Sequence, residues 1–392
     1  MVPDASFNHT GIDSRYFDRY GKFTADGNVG AFASGQVQPK SSWASWYRFS
    51  PSDKSQGLPY TGWSGVADLP ELDKTAPAWR DFAYRAPHSV TRTWLQRGAA
   101  GWRMDVAPRV PDGFWREWRT VVKQTDPKAI TIAETWFDAS KHLLGDMFDS
   151  TMNCIFRSAV LDYAAGGPAP ASLAQLELVR ELYLPPAFYA VMNLLSSHDG
   201  ARALHRLGDT HLGGPAVDAA TAAKARQLLR LALLFQVSYP GAPTVYCGDE
   251  VGLAGGDDPY NRAPYPWADQ GEQPDMALHA DIKRLIGLRQ AHPVLRRGVL
   301  LAPLHVDAHL IVLVRRLGDG PTAAWSITAT NNSEQAQTVT LTLPPGLPAQ
   351  RLRDGLADVP TKTLTAGPAL QRQGDRLTLT VPALYGRLLL VD

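Results

Sequence analysis

Three short stretches of this sequence each carry a carboxylate where an apolar, strand-like run ends: Gly-Trp-Arg-Met-Asp at 101–105, Ile-Ala-Glu-Thr-Trp at 132–136 and Leu-Ser-Ser-His-Asp at 195–199. In a barrel of parallel strands, the carboxyl ends of all strands meet on one face, where the active site lies. We therefore expect Asp105, Glu134 and Asp199 to share one pocket. Retaining cleavage of a glycosidic bond needs one carboxylate as nucleophile and one carboxylic acid as proton donor. The set predicts carbohydrate chemistry.

Length and composition narrow the function classes. A chain of 392 residues can hold about two domains. The net charge of +1 gives no indication of nucleic acid or polyanion binding. The longest apolar stretch, at 228–237, contains Arg230 and is too short to cross a bilayer. Two cysteines, Cys154 and Cys247, suit a reducing compartment, so we expect a cytoplasmic protein.

Residues 90–292 alternate apolar runs with amphipathic stretches, a pattern typical of successive β-α units. Strands are predicted at 101–107, 129–134, 147–153, 190–198 and 241–248. Helices are predicted behind an Asp112 N-cap and at 222–235 and 276–292, with an irregular Pro- and Ala-rich segment before residue 190.

Two further regions have a different texture. Residues 12–80 are rich in Gly, Ser, Trp and Tyr and are predicted to be a long insertion, which is usually functional in a compact domain. After about residue 300, β-rich runs separated by turn-forming residues predict an all-β domain. The predicted domains are therefore a catalytic α/β barrel over 1–298 and a C-terminal β-sandwich over 299–392.

Neighbouring residues suggest different tasks for the acids. Arg103 lies two positions before Asp105, on the same side of a strand, and a nearby cation favours the ionised carboxylate that a nucleophile needs. Glu134 is followed by Trp136, and an aromatic setting helps a carboxyl to keep its proton. Taken singly, such a strand-end Asp can be a helix N-cap, and Arg103–Asp105 a structural ion pair. Only the combination favours catalysis.

These residues carry a family resemblance. The stretches 101–107, 133–136 and 197–199 resemble three signature regions of the α-amylase family, glycoside hydrolase family 13, and Asp4-Ala-Ser-Phe-Asn-His9 resembles the remaining one. The flanks at 114–118, 145–153, 235–250 and 255–262 are most similar to the cyclomaltodextrinase, neopullulanase and maltogenic-amylase group, with its amylopullulanase relatives.

The resemblance implies roles by motif position. Asp105 matches the nucleophile, Glu134 the general acid/base, and Asp199 the acid that holds the sugar hydroxyls. The residues matching substrate-binding positions are His9, Asn8, Arg103, His198, Trp136 and Arg202, and Asp4 belongs to the first motif. No metal or cofactor is required. Family members often bind structural calcium, for which Asp13, Asp26 and Asn28 are available without a supporting ligand spacing.

The chain also departs from the family pattern. Pro108-Arg109 stands where relatives often carry a polar pair such as Asn-Glu, which bears on the acceptor side. Two β-α units that precede the first motif in the family are not in this sequence. We therefore expect a TIM (β/α)8-type barrel lacking its first two β-α units, followed by a C-terminal all-β sandwich domain. Such a chain is expected to be a fragment, or a mispredicted start, of a longer enzyme, and to be poorly soluble and nearly inactive alone. A homodimer is expected only for the full-length form.

Three functions follow from these observations. The first is a retaining hydrolase that cleaves α-1,4, and conceivably α-1,6, bonds of maltooligosaccharides, cyclodextrins or related α-glucans. The second is a transglycosylase of the same family, in which a sugar hydroxyl replaces water. The third is a non-catalytic glucan-binding fragment. The substrate is an α-glucan in all three cases, and neither nucleic acid nor membrane is expected as a partner.

Overall fold

The computed structural model describes residues 1–23, 29–50, 57–357 and 370–391. The chain divides into two compact units, Met1–Met152 and Asn153–Asp392. The domain boundary predicted at 298/299 stays a prediction. Within the described ranges, every helix is too short or too polar to cross a membrane.

The first unit contains a parallel sheet that brings two of the predicted acids together. Its strands, in spatial order, are β1 (Asp4–Ser6), β2 (Gly101–Asp105), β3 (Ile130–Ala133) and β4 (Ser150–Thr151). The register pairs Met104 with Ala133, and the N–H of Glu134 donates to the carbonyl of Met104. Asp105, the last residue of β2, and Glu134, which directly follows β3, therefore lie side by side at the carboxyl edge.

The helices of the first unit are α1 (Pro77–Arg80), α2 (Val90–Gln96) and α3 (Asp112–Thr125), with a π-helical segment at Asp81–Arg85 between α1 and α2. The predicted apolar face of α3 is buried: Phe114, Trp115, Trp118, Val121 and Val122. The Asp112 N-cap is wrong by one residue. Pro111 occupies that position with φ −59°, a value that prepares the first turn, and Asp112 is the first helical residue.

The described part of the 12–80 region contains short turns and single antiparallel bridges, such as Phe49 with Tyr60, instead of extended strands. Aromatic packing replaces regular hydrogen bonding. The Phe17 ring lies 4.9 Å from both Tyr47 and Tyr60 and 5.3 Å from Phe32, measured between ring centroids. Large aromatic side chains bury enough area for an irregular segment to hold its own core.

The second unit begins with helices and a parallel strand pair. The helices are α4 (Cys154–Ala164), α5 (Ala169–Leu182), α6 (Pro185–Phe188), α7 (Ala203–Arg206), α8 (Ala219–Ser238), α9 (Met276–Ala291) and α10 (Pro293–Arg297). The strands are β5 (Met192–Leu194) and β6 (Ala242–Thr244), which pair in parallel.

The irregular segment predicted before residue 190 is wrong, because α4, α5 and α6 occupy most of it. The Asn153 side chain accepts the N–H of Phe156 and caps α4. The prolines of α5 and α6 fall in the first turn, where a missing N–H costs nothing. Proline content alone was therefore a poor indicator of irregular structure.

The remaining strands are antiparallel: β7 (Val299–Leu300), β8 (His305–Val306), β9 (Leu310–Leu317), β10 (Ala324–Asn331), β11 (Gln337–Thr342), β12 (Arg353–Asp354), β13 (Gln371–Gln373), β14 (Arg376–Val381) and β15 (Tyr385–Val391). One sheet has the order β12-β15-β10-β9-β7, with β8 beside β9, and the other has the order β11-β14-β13. Their buried side chains form one hydrophobic core. The strand-rich C-terminal region is confirmed.

Candidate active site

Arg103 is the centre of the acidic cluster in the first unit. Its Nη1 donates to Asp105 Oδ1 at 2.9 Å and to Asp4 Oδ1 at 2.9 Å, and its Nη2 lies 3.2 Å from Glu134 Oε2. Burial opposes the charge of this guanidinium, but the three carboxylates outweigh it and raise the pKa of Arg103. A permanent cation therefore holds both predicted catalytic acids in place.

Glu134 is the more enclosed of the two acids. Its side chain is 8 % exposed, against 25 % for Asp105. The main-chain N–H of Val106 donates to Oε2 at 2.7 Å, and the indole N–H of Trp136 donates to Oε1 at 3.0 Å. Val106 has φ +50°, which is rare for a β-branched residue and turns its N–H toward Glu134.

His9 lies in the same unit with its ring stacked on Trp63, the ring centroids 5.3 Å apart. The Asn8 carboxamide donates from Nδ2 to His9 Nδ1 at 3.2 Å. Burial and the charge of Lys74 lower the pKa of His9, against the opposing carboxylates of Glu71 and Glu134. The ring is thus neutral near pH 7, and because Nδ1 accepts from Asn8, the ring hydrogen is assigned to Nε2. Asn8 is fully buried and orients His9, which leaves it no surface for the predicted sugar contact.

A polar cavity of about 320 Å³ also belongs to the first unit and includes Arg109, the residue that departs from the family pattern. Glu71, which bridges to His9 through the backbone, and Lys74 line it as well. Arg109 is exposed and makes no ion pair with any residue that the structure describes. The Arg109 guanidinium and Glu71, whose backbone bridges to His9, therefore line the same cavity.

The second unit carries Asp199 and His198 on the loop after β5. His198 Nε2 lies 3.2 Å and Arg262 Nη2 lies 3.5 Å from Asp199 Oδ1. Asp199 Oδ2 is buried and has no hydrogen-bond partner among the described residues. Asn261 donates to the carbonyl of His198 at 2.9 Å and fixes the loop. The Asp199 side chain as a whole is 23 % exposed, so its accessible part is not Oδ2.

Arg202 is 1 % exposed, so its guanidinium has no surface for the sugar contact predicted from motif position. It donates to the carbonyl of Cys247 at 2.8 Å and to Asp249 Oδ1 at 3.3 Å, over the ring of Tyr246. Burial raises the pKa of Asp249 to about 7, against the hydrogen bond from Ser196 and the charge of Arg202. Arg202 therefore holds the loop that contains Cys247 and Asp249 in place.

Sequence reasoning missed three contributors to these sites. The Val106 amide is a backbone group in a left-handed turn and leaves no side-chain signal. Trp63 lies in the 12–80 region, whose weak periodicity concealed its pairing with His9. Arg262 ends the 255–262 flank, and this position was a signal that could have assigned it to the Asp199 site.

Calcium in the 12–80 region stays a prediction. Asp13 lies 3.5 Å from Lys22 in an exposed ion pair. Asp26 and Asn28 lie outside the described residues. No group of three or more His, Cys, Asp or Glu side chains within the described ranges is arranged to hold a metal ion.

Comparisons with known proteins agree with this geometry. The family profile described as alpha amylase, catalytic domain, matches residues 1–298. An amylopullulanase of Thermoanaerobacter thermohydrosulfuricus is 35 % identical over 82 % of this chain and 23 % of its own length. A cyclomaltodextrinase of a Bacillus species is 36 % identical over 76 % of this chain and 48 % of its own length.

A solved structure, the debranching enzyme of Nostoc punctiforme, matches with a TM-score of 0.77 and 26 % identity over 99 % of this chain and 75 % of that one. The chain spans between about a fifth and a third of the length of the amylopullulanases that it matches. Motifs, strand-end acids and the matched profile lead to one conclusion: the chain belongs to the α-amylase family.

Proposed function

We propose that the protein hydrolyses α-1,4-glucosidic bonds, and also α-1,6 bonds, of maltooligosaccharides, cyclodextrins or related α-glucans with retention of configuration. One observation carries the proposal: a single buried guanidinium, that of Arg103, contacts both Asp105 and Glu134 at adjacent strand ends. Retaining chemistry requires this pair of carboxyl groups to lie close together.

In the first step, Asp105 attacks the anomeric carbon while Glu134 gives a proton to the departing glycosidic oxygen. In the second, Glu134 takes a proton from water, and the water oxygen displaces Asp105 from the sugar. Arg103 keeps both side chains in place during the two steps. The carboxyl groups supply all the proton and nucleophile chemistry, so we expect no cofactor.

The other motif residues have supporting roles in this proposal. Asp199, whose side chain is 23 % exposed, accepts hydrogen bonds from sugar hydroxyls, and His198 and Arg262 hold its Oδ1. His9 donates from Nε2 to a sugar hydroxyl, and Asn8 keeps its ring in place. Arg202 acts indirectly, through the loops that its guanidinium binds.

The test compares Glu134→Gln and Asp105→Asn with the unchanged chain on maltotriose. Loss of general acid/base catalysis lowers kcat by about 10²–10⁴-fold, and the Asp105 variant is expected to lose at least as much. Asp146→Asn, in an exposed pair with Arg116, is the matched control and keeps full activity. Proton NMR should show the α-anomer as the first product. Activity in either catalytic variant equal to that of the control would contradict the proposal.

Transglycosylation is the second candidate, because the exposed cation of Arg109 lies where a polar pair often stands in relatives. A sugar acceptor bound there would compete with water for the glycosyl group. Chromatography of the products from maltotriose distinguishes the two: products longer than maltotriose indicate transfer, and shorter ones alone indicate hydrolysis.

Retained cyclodextrin binding with no release of reducing sugar would indicate the non-catalytic alternative.

Further proposals concern architecture and context. We propose a TIM (β/α)8-type barrel lacking its first two β-α units over 1–298, followed by a β-sandwich over 299–392. We also propose a cytoplasmic location, because a chain with only two cysteines suits a reducing compartment. An α-glucan is the proposed partner and nucleic acid is not. A homodimer would be detected by sedimentation velocity.

A further inference from the structure

The two oxygens of the Glu134 carboxylate have different surroundings. Oε2 accepts the main-chain N–H of Val106 at 2.7 Å and lies 3.2 Å from Arg103 Nη2. Oε1 accepts only the indole N–H of Trp136, at 3.0 Å, among the contacts of the described residues. A carboxylate has about four lone-pair sites on its two oxygens. Oε2 therefore has one site filled by a hydrogen bond and lies against a guanidinium charge, whereas Oε1 keeps one site that faces neither the Val106 N–H nor this ion-pair contact.

A proton on Oε2 would be costly. It would displace the short bond from Val106, whose N–H cannot move without the whole turn after β2. It would also place positive charge against the Arg103 guanidinium. A proton on Oε1 meets neither obstacle, because the indole can keep one lone pair while the proton takes the other. The two oxygens of Glu134 are therefore not equivalent as sites for the catalytic proton.

We propose, building on the proposed function, that Glu134 exchanges its catalytic proton through Oε1 and that Trp136 is a positioning residue for this exchange. In the first step the Oε1–H bond breaks and the proton passes to the glycosidic oxygen. That oxygen takes the bonding electrons and departs as an alcohol, while Asp105 bonds to the anomeric carbon. The indole N–H stabilises the negative charge that appears on Oε1 at this moment.

The second step reverses the proton transfer. A proton of the attacking water goes to Oε1, and the water oxygen bonds to the anomeric carbon. The bond between this carbon and Asp105 breaks, returning its electrons to the carboxylate. Oε2 stays bound to Val106 and Arg103 throughout, so the carboxyl group does not rotate between the steps.

The test is Trp136→Phe, which keeps an aromatic ring and removes the N–H. The value of kcat/KM is measured on maltotriose and on α-maltosyl fluoride. Fluoride leaves without a proton from the acid, whereas a sugar alkoxide does not. We expect a roughly tenfold loss on maltotriose, the effect of one hydrogen bond to a charged group. On the fluoride we expect a loss of less than about twofold.

Trp94→Phe is the matched control, since Trp94 is 44 % exposed, against 43 % for Trp136, and belongs to the same unit. It should leave both rates unchanged. If the Trp136 variant lost kcat/KM equally on both substrates, the indole ring and not its N–H would be responsible. If kcat/KM did not fall on maltotriose, the N–H would have no role in proton transfer. Either result overturns the inference. An unchanged chain that hydrolyses neither substrate contradicts the proposed function itself, so the two failures are distinguishable.

Discussion

Val106 shows how much a single residue contributes without its side chain. Its backbone has φ +50° and ψ +42°, a left-handed conformation that costs a β-branched residue about 1–3 kcal/mol. In return, its N–H donates to Glu134 Oε2 at 2.7 Å. Strain of this kind persists when the surrounding structure enforces it, and here it positions the proposed acid.

Val106→Gly tests this interpretation, because glycine adopts positive φ freely and keeps the N–H. We expect kcat and KM within about twofold of the unchanged values, and a free energy of unfolding within about 1 kcal/mol, since relief of strain offsets the added chain entropy. Val110→Gly is the control: Val110 is 2 % exposed with φ −103°, and its loss should cost about 2 kcal/mol. A large loss of activity in the Val106 variant would assign the role to its side chain.

At the scale of elements, Asp149 connects α3 and β3 to the start of β4. Its carboxylate accepts Arg119 Nη2 at 2.7 Å, Lys123 Nζ at 2.9 Å and the main-chain N–H of Thr131 at 2.9 Å. Burial alone would raise the pKa of Asp149, but these hydrogen bonds outweigh it and lower the pKa to about 2. This carboxylate helps to hold β3, which Glu134 directly follows, in its register.

The lowered pKa predicts how stability depends on pH. Because the folded state holds the charged form more tightly, Asp149 contributes about 2 kcal/mol above pH 4, and this contribution is lost as the pH falls toward 2. Asp149→Asn should lower the free energy of unfolding by that amount at pH 7, with the difference disappearing between pH 4 and 2. Urea denaturation across this range measures it. Asp146→Asn, in an exposed pair, should change stability by less than about 1 kcal/mol at any pH.

At the scale of the whole molecule, the second compact unit, Asn153–Asp392, includes helices as well as the strand-rich C-terminal region. Arg315 on β9 is 2 % exposed and donates to the carbonyls of Ser238, Leu295 and Gly298. Burial, together with the charge of Arg289, lowers the pKa of Arg315 to about 9, which still leaves it charged at neutral pH. One side chain therefore connects the strand-rich region to the ends of α8 and α10 within the second unit.

Arg315→Met should consequently destabilise residues on both sides of 298. Removing hydrogen bonds from a buried cation to several carbonyls is expected to cost about 3 kcal/mol. Hydrogen exchange should then accelerate in α8 and β9 together. Arg316→Met, whose side chain is 38 % exposed beside Asp319, is the adjacent control and should have little effect. Faster exchange confined to β9 would show that the two regions unfold independently.

Local patterns were sufficient where the chemistry follows from residue type and strand position. Asp105 and Glu134 were predicted at strand ends from apolar runs that stop on a carboxylate, and the structure places them side by side. The buried face of α3 followed from helical spacing. The segment before residue 190 was mispredicted, because its prolines fall in first turns, which composition does not reveal. Asn8 and Arg202 were predicted to contact the sugar, but both side chains are buried. Burial depends on the whole fold, so local sequence could not reveal it.

The sequence by itself determined the family, the order of the strands in the chain and the identity of the acids, since these depend on local motifs and hydrophobic periodicity. Tertiary structure alone decided which atoms meet. The Arg103 guanidinium bridges Asp4, Asp105 and Glu134 because parallel pairing aligns strands separated by up to a hundred residues. The Val106 amide and the Trp136 indole reach different oxygens of Glu134 because a strained turn and an exposed loop approach it from separate directions. Such contacts depend on register and backbone angles, and neither is written in any single stretch of sequence.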